Sequence, residues 1–126
     1  MVMATSLLFG ACNSKDIDIE VKVKAKENME NVIGRSDIKV KDGRMTPEVL
    51  WAMGRIGGMN VSPDGQKVVY TVAYYSVPEN RSNREVFVMN ADGTDNKQIT
   101  KTAYSENEAV WIKGGKKIAF LCNESG

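Results

Sequence analysis

Ser36 is the serine whose surroundings most resemble the Gly-x-Ser-x-Gly motif of a catalytic nucleophile. It lies in residues 34–38 (Gly-Arg-Ser-Asp-Ile). The run begins like a nucleophile elbow but ends in isoleucine where glycine is required. None of the 126 residues is histidine. A Ser-His-Asp triad and a histidine-based zinc site both need an imidazole, so this chain alone can form neither. The sequence therefore predicts no catalytic residue, no metal site and no cofactor site.

Three other segments have polar residues at spacings that resemble those of ligand-binding loops. Residues 16–20 contain acids at alternate positions, as a calcium loop does, but Val21 occupies the position where the sharp turn needs glycine. Residues 90–95 contain one Asn and two Asp around a predicted turn, where these residues are favoured for backbone reasons. Residues 115–117 (Gly-Lys-Lys) lack the upstream glycine and the Ser/Thr of a phosphate loop. A structural role is the better interpretation of all three.

Residues 1–12 have no charged side chain and end in Cys12. The segment is too short to cross a bilayer and has the pattern of a secretion signal. Residues 8–12 (Leu-Phe-Gly-Ala-Cys) resemble a bacterial lipobox, although Phe9 replaces the usual leucine and no basic residue precedes the run. We therefore predict lipid attachment at Cys12, a location in the bacterial cell envelope, membrane contact only through the lipid, and a natural start upstream. An apolar N-terminus with a buried cysteine is the alternative.

The overall composition is that of a soluble globular protein, with 42% hydrophobic and 26% charged residues and a net charge of +1. No basic block stands apart from acids, so we expect no nucleic-acid partner. Cys122, the second of two cysteines, is predicted to be a small buried residue at the end of a strand. A Cys12–Cys122 disulfide is compatible with the composition but not with lipidation of Cys12.

Residues 13–44 form a charged spacer, in which the alternation over residues 17–24 predicts a candidate edge strand. Residues 45–58 contain a short helix. Thr46 is its predicted cap, proline follows at the first helical position, and the helix is expected to stop at Gly54 and residues 57–58 (Gly-Gly). Its predicted apolar side consists of Val49, Leu50 and Met53.

Residues 59–126 consist of strands and turns in a pattern that is repeated after fifty positions. Gly65 and Lys67 of the first copy correspond to Gly115 and Lys117 of the second. A period of this length is typical of propeller blades. The second and third strands are apolar on both faces and the fourth is polar, as in a sheet that lies between other sheets. The predicted strands are residues 59–62, 67–75, 85–90, 97–100, 109–112 and 117–122, with a long polar loop over residues 76–84.

The fold class predicted from this pattern is all-β, an incomplete β-propeller with one full four-stranded blade and half of a second. A closed ring needs roughly 160–400 residues, which is more than the strands of this chain supply. The residues that carry a resemblance are 62–65 (Ser-Pro-Asp-Gly), 86–94 and 98–100 (Gln-Ile-Thr). They resemble the TolB-type propeller repeat, and in the second copy residues 113–114 (Lys-Gly) replace Pro-Asp.

Residues 45–56, directly before the first blade, are similar to the segment that leads into the propeller of the prolyl oligopeptidase family, in its secreted bacterial dipeptidyl peptidase and acylaminoacyl peptidase branch. The resemblance implies a downstream α/β-hydrolase domain with the catalytic Ser, Asp and His. It also implies that the propeller limits access to short peptides. Glu106 and Glu108 are then candidates to face a peptide amine, although a solvated loop is our expectation. Trp111 is predicted to be a core residue.

The leading hypothesis is the N-terminal propeller portion of an envelope-associated serine exopeptidase or oligopeptidase, inactive without its hydrolase domain. Its partners would be that domain and short peptide substrates. The first alternative is a non-enzymatic TolB-like module that binds envelope proteins. A weaker one is a propeller that supports glycan handling at the cell surface. The resemblance is specific for the repeat and not for one function, so these alternatives stay open.

Overall fold

A computed structural model describes residues 5–7, 19–21 and 32–123 of the chain. The described part contains one short helix, and its strands form three antiparallel sheets. The predicted all-β class is confirmed. The elements are α1 (Pro47–Ala52), β1 (Thr5–Leu7), β2 (Ile19–Val21), β3 (Arg55–Val61), β4 (Lys67–Ser76), β5 (Arg81–Asn90), β6 (Lys97–Gln98), β7 (Glu106–Ile112) and β8 (Lys117–Cys122).

The three sheets follow the chain order. β1 pairs with β2, the strands β3-β4-β5-β6 form a four-stranded sheet in that order, and β7 pairs with β8. The strand predicted within residues 17–24 is present as β2, and its partner is β1, with Thr5 opposite Val21. The four-stranded sheet and the β7-β8 pair correspond to the two copies of the repeat. Within the described residues, no closed ring of sheets is formed.

Helix α1 begins as the sequence predicts. The side chain of Thr46 accepts a hydrogen bond from the Val49 amide at 3.3 Å, and proline occupies the first turn. The predicted apolar side is wrong beyond Val49, because Leu50 and Met53 are 48% and 44% exposed. A helix of six residues rests on β4 through little more than one turn, so only the side chain that points at the sheet is covered.

Strand β3 begins at Arg55, four residues earlier than predicted, and includes Gly57 and Gly58. These glycines do not end the helix. They form an irregularity in the pairing with β4, between Ile56 and Met59. A Cβ atom on Gly57 would lie 2.6 Å from the hydroxyl of Thr71, so only glycine fits this close approach of the two strands.

The turn at residues 62–65 has the predicted chemistry. The hydroxyl of Ser62 donates to Asp64 at 2.6 Å, and Gly65 takes a φ of 70°. The long loop predicted over residues 76–84 is wrong. Strand β5 begins at Arg81, and the chain reverses within residues 77–80. Pairing with β4 gives the backbone N–H and C=O groups of residues 81–84 their hydrogen bonds whatever the side chains are, so this polar segment continues the hairpin.

The core lies between the four-stranded sheet and the β7-β8 pair. Two hydrogen bonds also join β3 to β7 beside this core. The indole of Trp111 donates to the carbonyl oxygen of Asn60 at 3.1 Å, and the side chain of Asn60 donates to the carbonyl oxygen of Ala109 at 2.8 Å. Trp111 packs against the core as predicted, and it is half-buried. The buried apolar residues of this core are Val69, Val86, Val88, Ala109 and Ile118.

The outer faces of the two sheets expose apolar side chains. Facing away from the shared core, β3 exposes Ile56, Met59 and Val61, each by 59% or more. The other outer surface belongs to the β7-β8 pair, where Val110 is 40% exposed and Leu121 is 65% exposed. On the outer face of the four-stranded sheet the exposed apolar residues are at the β3 edge, since Val68, Tyr70 and Val72 of β4 are buried there. Exposed apolar residues at the outer faces are expected of layers in a longer stack.

Candidate functional site

Two carboxyl groups are buried where the four-stranded sheet meets the β7-β8 pair. Glu85 lies in β5 with no exposed surface, and Glu106 begins β7 with 1% of its surface exposed. The expectation of a solvated loop is wrong for Glu106, because β7 starts three residues earlier than predicted. Glu108 is exposed and has a φ of 51°, at the irregularity between Asn107 and Val110.

The hydroxyl of Thr100 joins the two acids. Its oxygen lies 2.7 Å from Oε2 of Glu85 and 3.3 Å from Oε2 of Glu106, and it accepts the amide hydrogen of Val86 at 2.9 Å. The carbonyl oxygen of Val86 also accepts the amide of Ile99 at 2.8 Å. These bonds hold the segment after β6 along the edge of β5. Thr100 therefore occupies a fixed place between the two carboxyl groups.

Two further side chains complete the network. The amide hydrogen of Thr102 goes to Oε1 of Glu85 at 3.0 Å, and the hydroxyl of Thr102 donates to Oε1 of Glu106 at 2.6 Å. The side-chain amide of Asn83 donates to Oε1 of Glu85 at 2.7 Å and to the carbonyl oxygen of Thr102 at 2.8 Å. Glu85 thus accepts three donors, while Glu106 has one close donor in Thr102, the longer contact with Thr100 and a bond of 3.7 Å from the thiol of Cys122.

Neither Glu85 nor Glu106 forms an ion pair with another described residue. The ion pairs of the described part join Arg81 to Glu79 and Lys97 to Asp95, both on the surface. Burial raises the pKa of Glu106 to about 7, and the charge of Glu85 and its hydrogen bond add to the increase, against the opposing bonds from Thr102 and Thr100. Glu106 therefore keeps its proton at pH values where an exposed glutamate is ionised.

The network has two polar atoms without partners among the described residues. The side-chain oxygen of Asn83 and Nε of Arg84 are buried and make no hydrogen bond. The guanidinium of Arg84 reaches across to the second sheet through Nη1, which donates to Oδ1 of Asn107 at 2.5 Å. Buried polar atoms without a hydrogen bond are rare in folded proteins, so these two distinguish the surroundings of the acid pair from an ordinary core.

The chemistry available to this arrangement is the storage and release of one proton. The thiol of Cys122 lies 3.7 Å from Oε1 of Glu106, at the end of β8. Both carboxyl groups are buried beside residues 99–102, which follow the edge of β5, so neither is open to a substrate in this structure. The predicted burial of Cys122 is wrong, because the residue is exposed at the last described strand.

The other residues singled out in the sequence lie apart from the acid pair. Cys12 lies outside the described residues, so lipid attachment remains a prediction. Residues 90–95 form a turn in which Asp92 accepts the amide of Thr94 at 2.9 Å, and Asp95 pairs with Lys97 at 2.9 Å. Their backbone role is confirmed. In the part of the chain that the structure describes, no cluster of potential metal ligands and no helix long and apolar enough to cross a membrane are found.

Sequence reasoning missed Glu85, Thr100 and Asn83. The available signal was weak: Glu85 directly precedes the apolar run of residues 86–89, which places it in the predicted strand but does not predict its burial. Its burial depends on the segment that crosses the edge of β5, and that segment is brought there by the fold.

By its fold, the described part of the chain is an all-β protein in which a four-stranded antiparallel sheet and the β7-β8 pair share one core. The chain is also similar to curated proteins named dipeptidyl-peptidase 5. The one from Porphyromonas gingivalis is 43% identical over 82 residues, which is 65% of this chain and 12% of that protein. The one from Porphyromonas endodontalis is 42% identical over 77 residues, 61% of this chain and 11% of that protein.

These similarities link the chain to dipeptidyl peptidases, and the aligned part spans a small share of either relative. No protein-family model matches the chain. No solved structure matches it.

Proposed function

We propose that this chain is the N-terminal β-propeller portion of an envelope-associated serine exopeptidase or oligopeptidase of the prolyl oligopeptidase type, which hydrolyses short peptides. The observation that carries the proposal is the 43% identity over 82 residues to a protein named dipeptidyl-peptidase 5. The propeller portion would restrict access to a hydrolase domain elsewhere in the same polypeptide. That domain would supply every catalytic residue, since this chain has no histidine.

Two features of the structure support a propeller. The four-stranded sheet has the strand order β3-β4-β5-β6, and the β7-β8 pair packs on it as the first strands of a second sheet of the same kind. The outer faces of both sheets present apolar residues, as blades do where the neighbouring blades pack. A similarity that includes the dipeptidyl-peptidase name favours the peptidase over a binding module without an enzyme domain.

The proposal is tested by assaying two proteins with dipeptide substrates that release a fluorophore. One is the full polypeptide that contains this sequence, and the other is the 126-residue chain. We expect hydrolysis by the first, blocked by a serine-directed fluorophosphonate, and none by the second. A full polypeptide that fails to react with the fluorophosphonate, or hydrolysis by the chain alone, would contradict the proposal.

The stacking of sheets makes a separate prediction at Leu121, which is 65% exposed. Leu121→Ala should change the free energy of unfolding of this chain by less than about 0.5 kcal/mol, because surface substitutions cost little. In the full polypeptide the same change should cost about 2–5 kcal/mol, because a neighbouring sheet would bury the side chain. Urea unfolding of both proteins measures the difference. Equal small costs would show that nothing covers this face.

A further inference from the structure

We propose that the Glu85–Thr100–Glu106 bridge is a pH-sensitive junction, which holds the two sheets together while it retains one proton and loosens when both carboxyl groups ionise. The bridge links β5 of the first sheet to β7 of the second. Its two carboxyl groups are buried, with 0% of Glu85 and 1% of Glu106 exposed. The inference concerns the folding of the chain and does not depend on the proposed peptidase function.

The hydrogen bonds place the proton. The hydroxyl of Thr102 donates to Oε1 of Glu106 at 2.6 Å, so that oxygen serves as an acceptor. The proton therefore belongs on Oε2, which faces the hydroxyl oxygen of Thr100 at 3.3 Å. Thr100 in turn donates its only hydrogen to Oε2 of Glu85 at 2.7 Å. In this state a chain of donors runs from Glu106 through Thr100 to Glu85.

Loss of that proton leaves the bridge one donor short. The single hydrogen of Thr100 cannot serve two carboxylates, and the two negative charges then share a space that water does not reach. Opening the junction hydrates both groups and relieves the repulsion. A carboxyl group has an ordinary pKa of 4.5 when exposed, and burial raises the pKa of Glu106 to about 7. The closed state binds the proton more tightly, so its stability falls as the pH rises from about 5 to about 7.

The other ionisable groups around the bridge do not replace the proton. From β4, Tyr74 is close enough to Glu85 for their charges to interact, and burial raises the pKa of its phenol against the opposing charge of Arg35. From β5, Arg84 bonds Asn107 and forms no ion pair with a described residue. From β8, the thiol of Cys122 lies 3.7 Å from Glu106. None of the three places a positive charge on either carboxyl group.

Amide hydrogen exchange by NMR on the chain tests the inference at Val86 and Thr102, whose amides bond to the bridge. After correction for intrinsic rates, we expect protection to fall more than tenfold between pH 5 and pH 7 and to level above pH 7. One proton limits the slope to about tenfold per pH unit. Glu106→Gln keeps the shape and a permanent donor, so its protection should stay high and independent of pH. Glu108→Gln, in the same strand but exposed, should keep the wild-type slope.

A flat wild-type profile, a persistent slope in Glu106→Gln, or the absence of protection at any pH would overturn the inference. A second measurement covers the case in which the variant does not fold. In wild-type chain labelled with ¹³C at the glutamate carboxyl carbons, Glu106 should titrate near pH 7. If every glutamate has a midpoint near its ordinary value, the junction holds no proton and the inference fails.

Discussion

Ile118→Ala should lower the free energy of unfolding by about 2–5 kcal/mol, because it removes a buried branched side chain and leaves a cavity between the two sheets. Ile118 is 8% exposed and belongs to the cluster that includes Val86, Val88 and Ala109. It is one of the few buried residues that the β7-β8 pair contributes to the shared core. The side chain therefore determines how tightly the second sheet is held on the first.

The matched control for this change is Ile112→Ala in the same hairpin. Ile112 points to the outer face and is 38% exposed, so its truncation should cost about 1 kcal/mol or less. Urea unfolding followed by tryptophan fluorescence measures both variants, since Trp111 packs against the core at this junction. Equal costs for the two variants would mean that the shared core does not hold the sheets together.

Thr100→Val should cost about 3 kcal/mol, although valine has nearly the same shape as threonine. The change leaves the buried amide of Val86 without its acceptor, takes a donor away from Glu85 and removes the oxygen that faces Glu106. A buried polar group without a partner costs about 1–3 kcal/mol, and here at least two groups are affected. The same unfolding experiment measures the loss.

Two companion variants separate the hydroxyl from the side-chain volume. Thr100→Ser keeps the hydroxyl and should recover most of the stability. Thr94→Val removes a hydroxyl from an exposed turn, where it donates to Asp92, and should cost less than about 1 kcal/mol. If Thr100→Val were as mild as Thr94→Val, the hydroxyl would not be holding the acid pair in place.

Much of the local structure could be predicted from the sequence. The turn at residues 62–65, the Thr46 cap and strand β8 follow from backbone preferences of neighbouring residues, and all three are present. The same reasoning failed for residues 81–84, which are polar and yet continue strand β5. Their partners are 5–11 positions away along the hairpin, from Arg81 opposite Ser76 to Arg84 opposite Ala73, and the strand forms because those partners are already extended.

The division between sequence and fold is clearest at the acid pair. The sequence by itself determined the all-β class, the repeat of Gly65 and Lys67 at fifty positions, and the absence of a histidine. Only the tertiary structure decided that Glu85 and Glu106, 21 positions apart, share one hydroxyl inside the protein. The reason is physical: periodicity reports which side a residue faces, whereas burial of a charge depends on what another segment places over it.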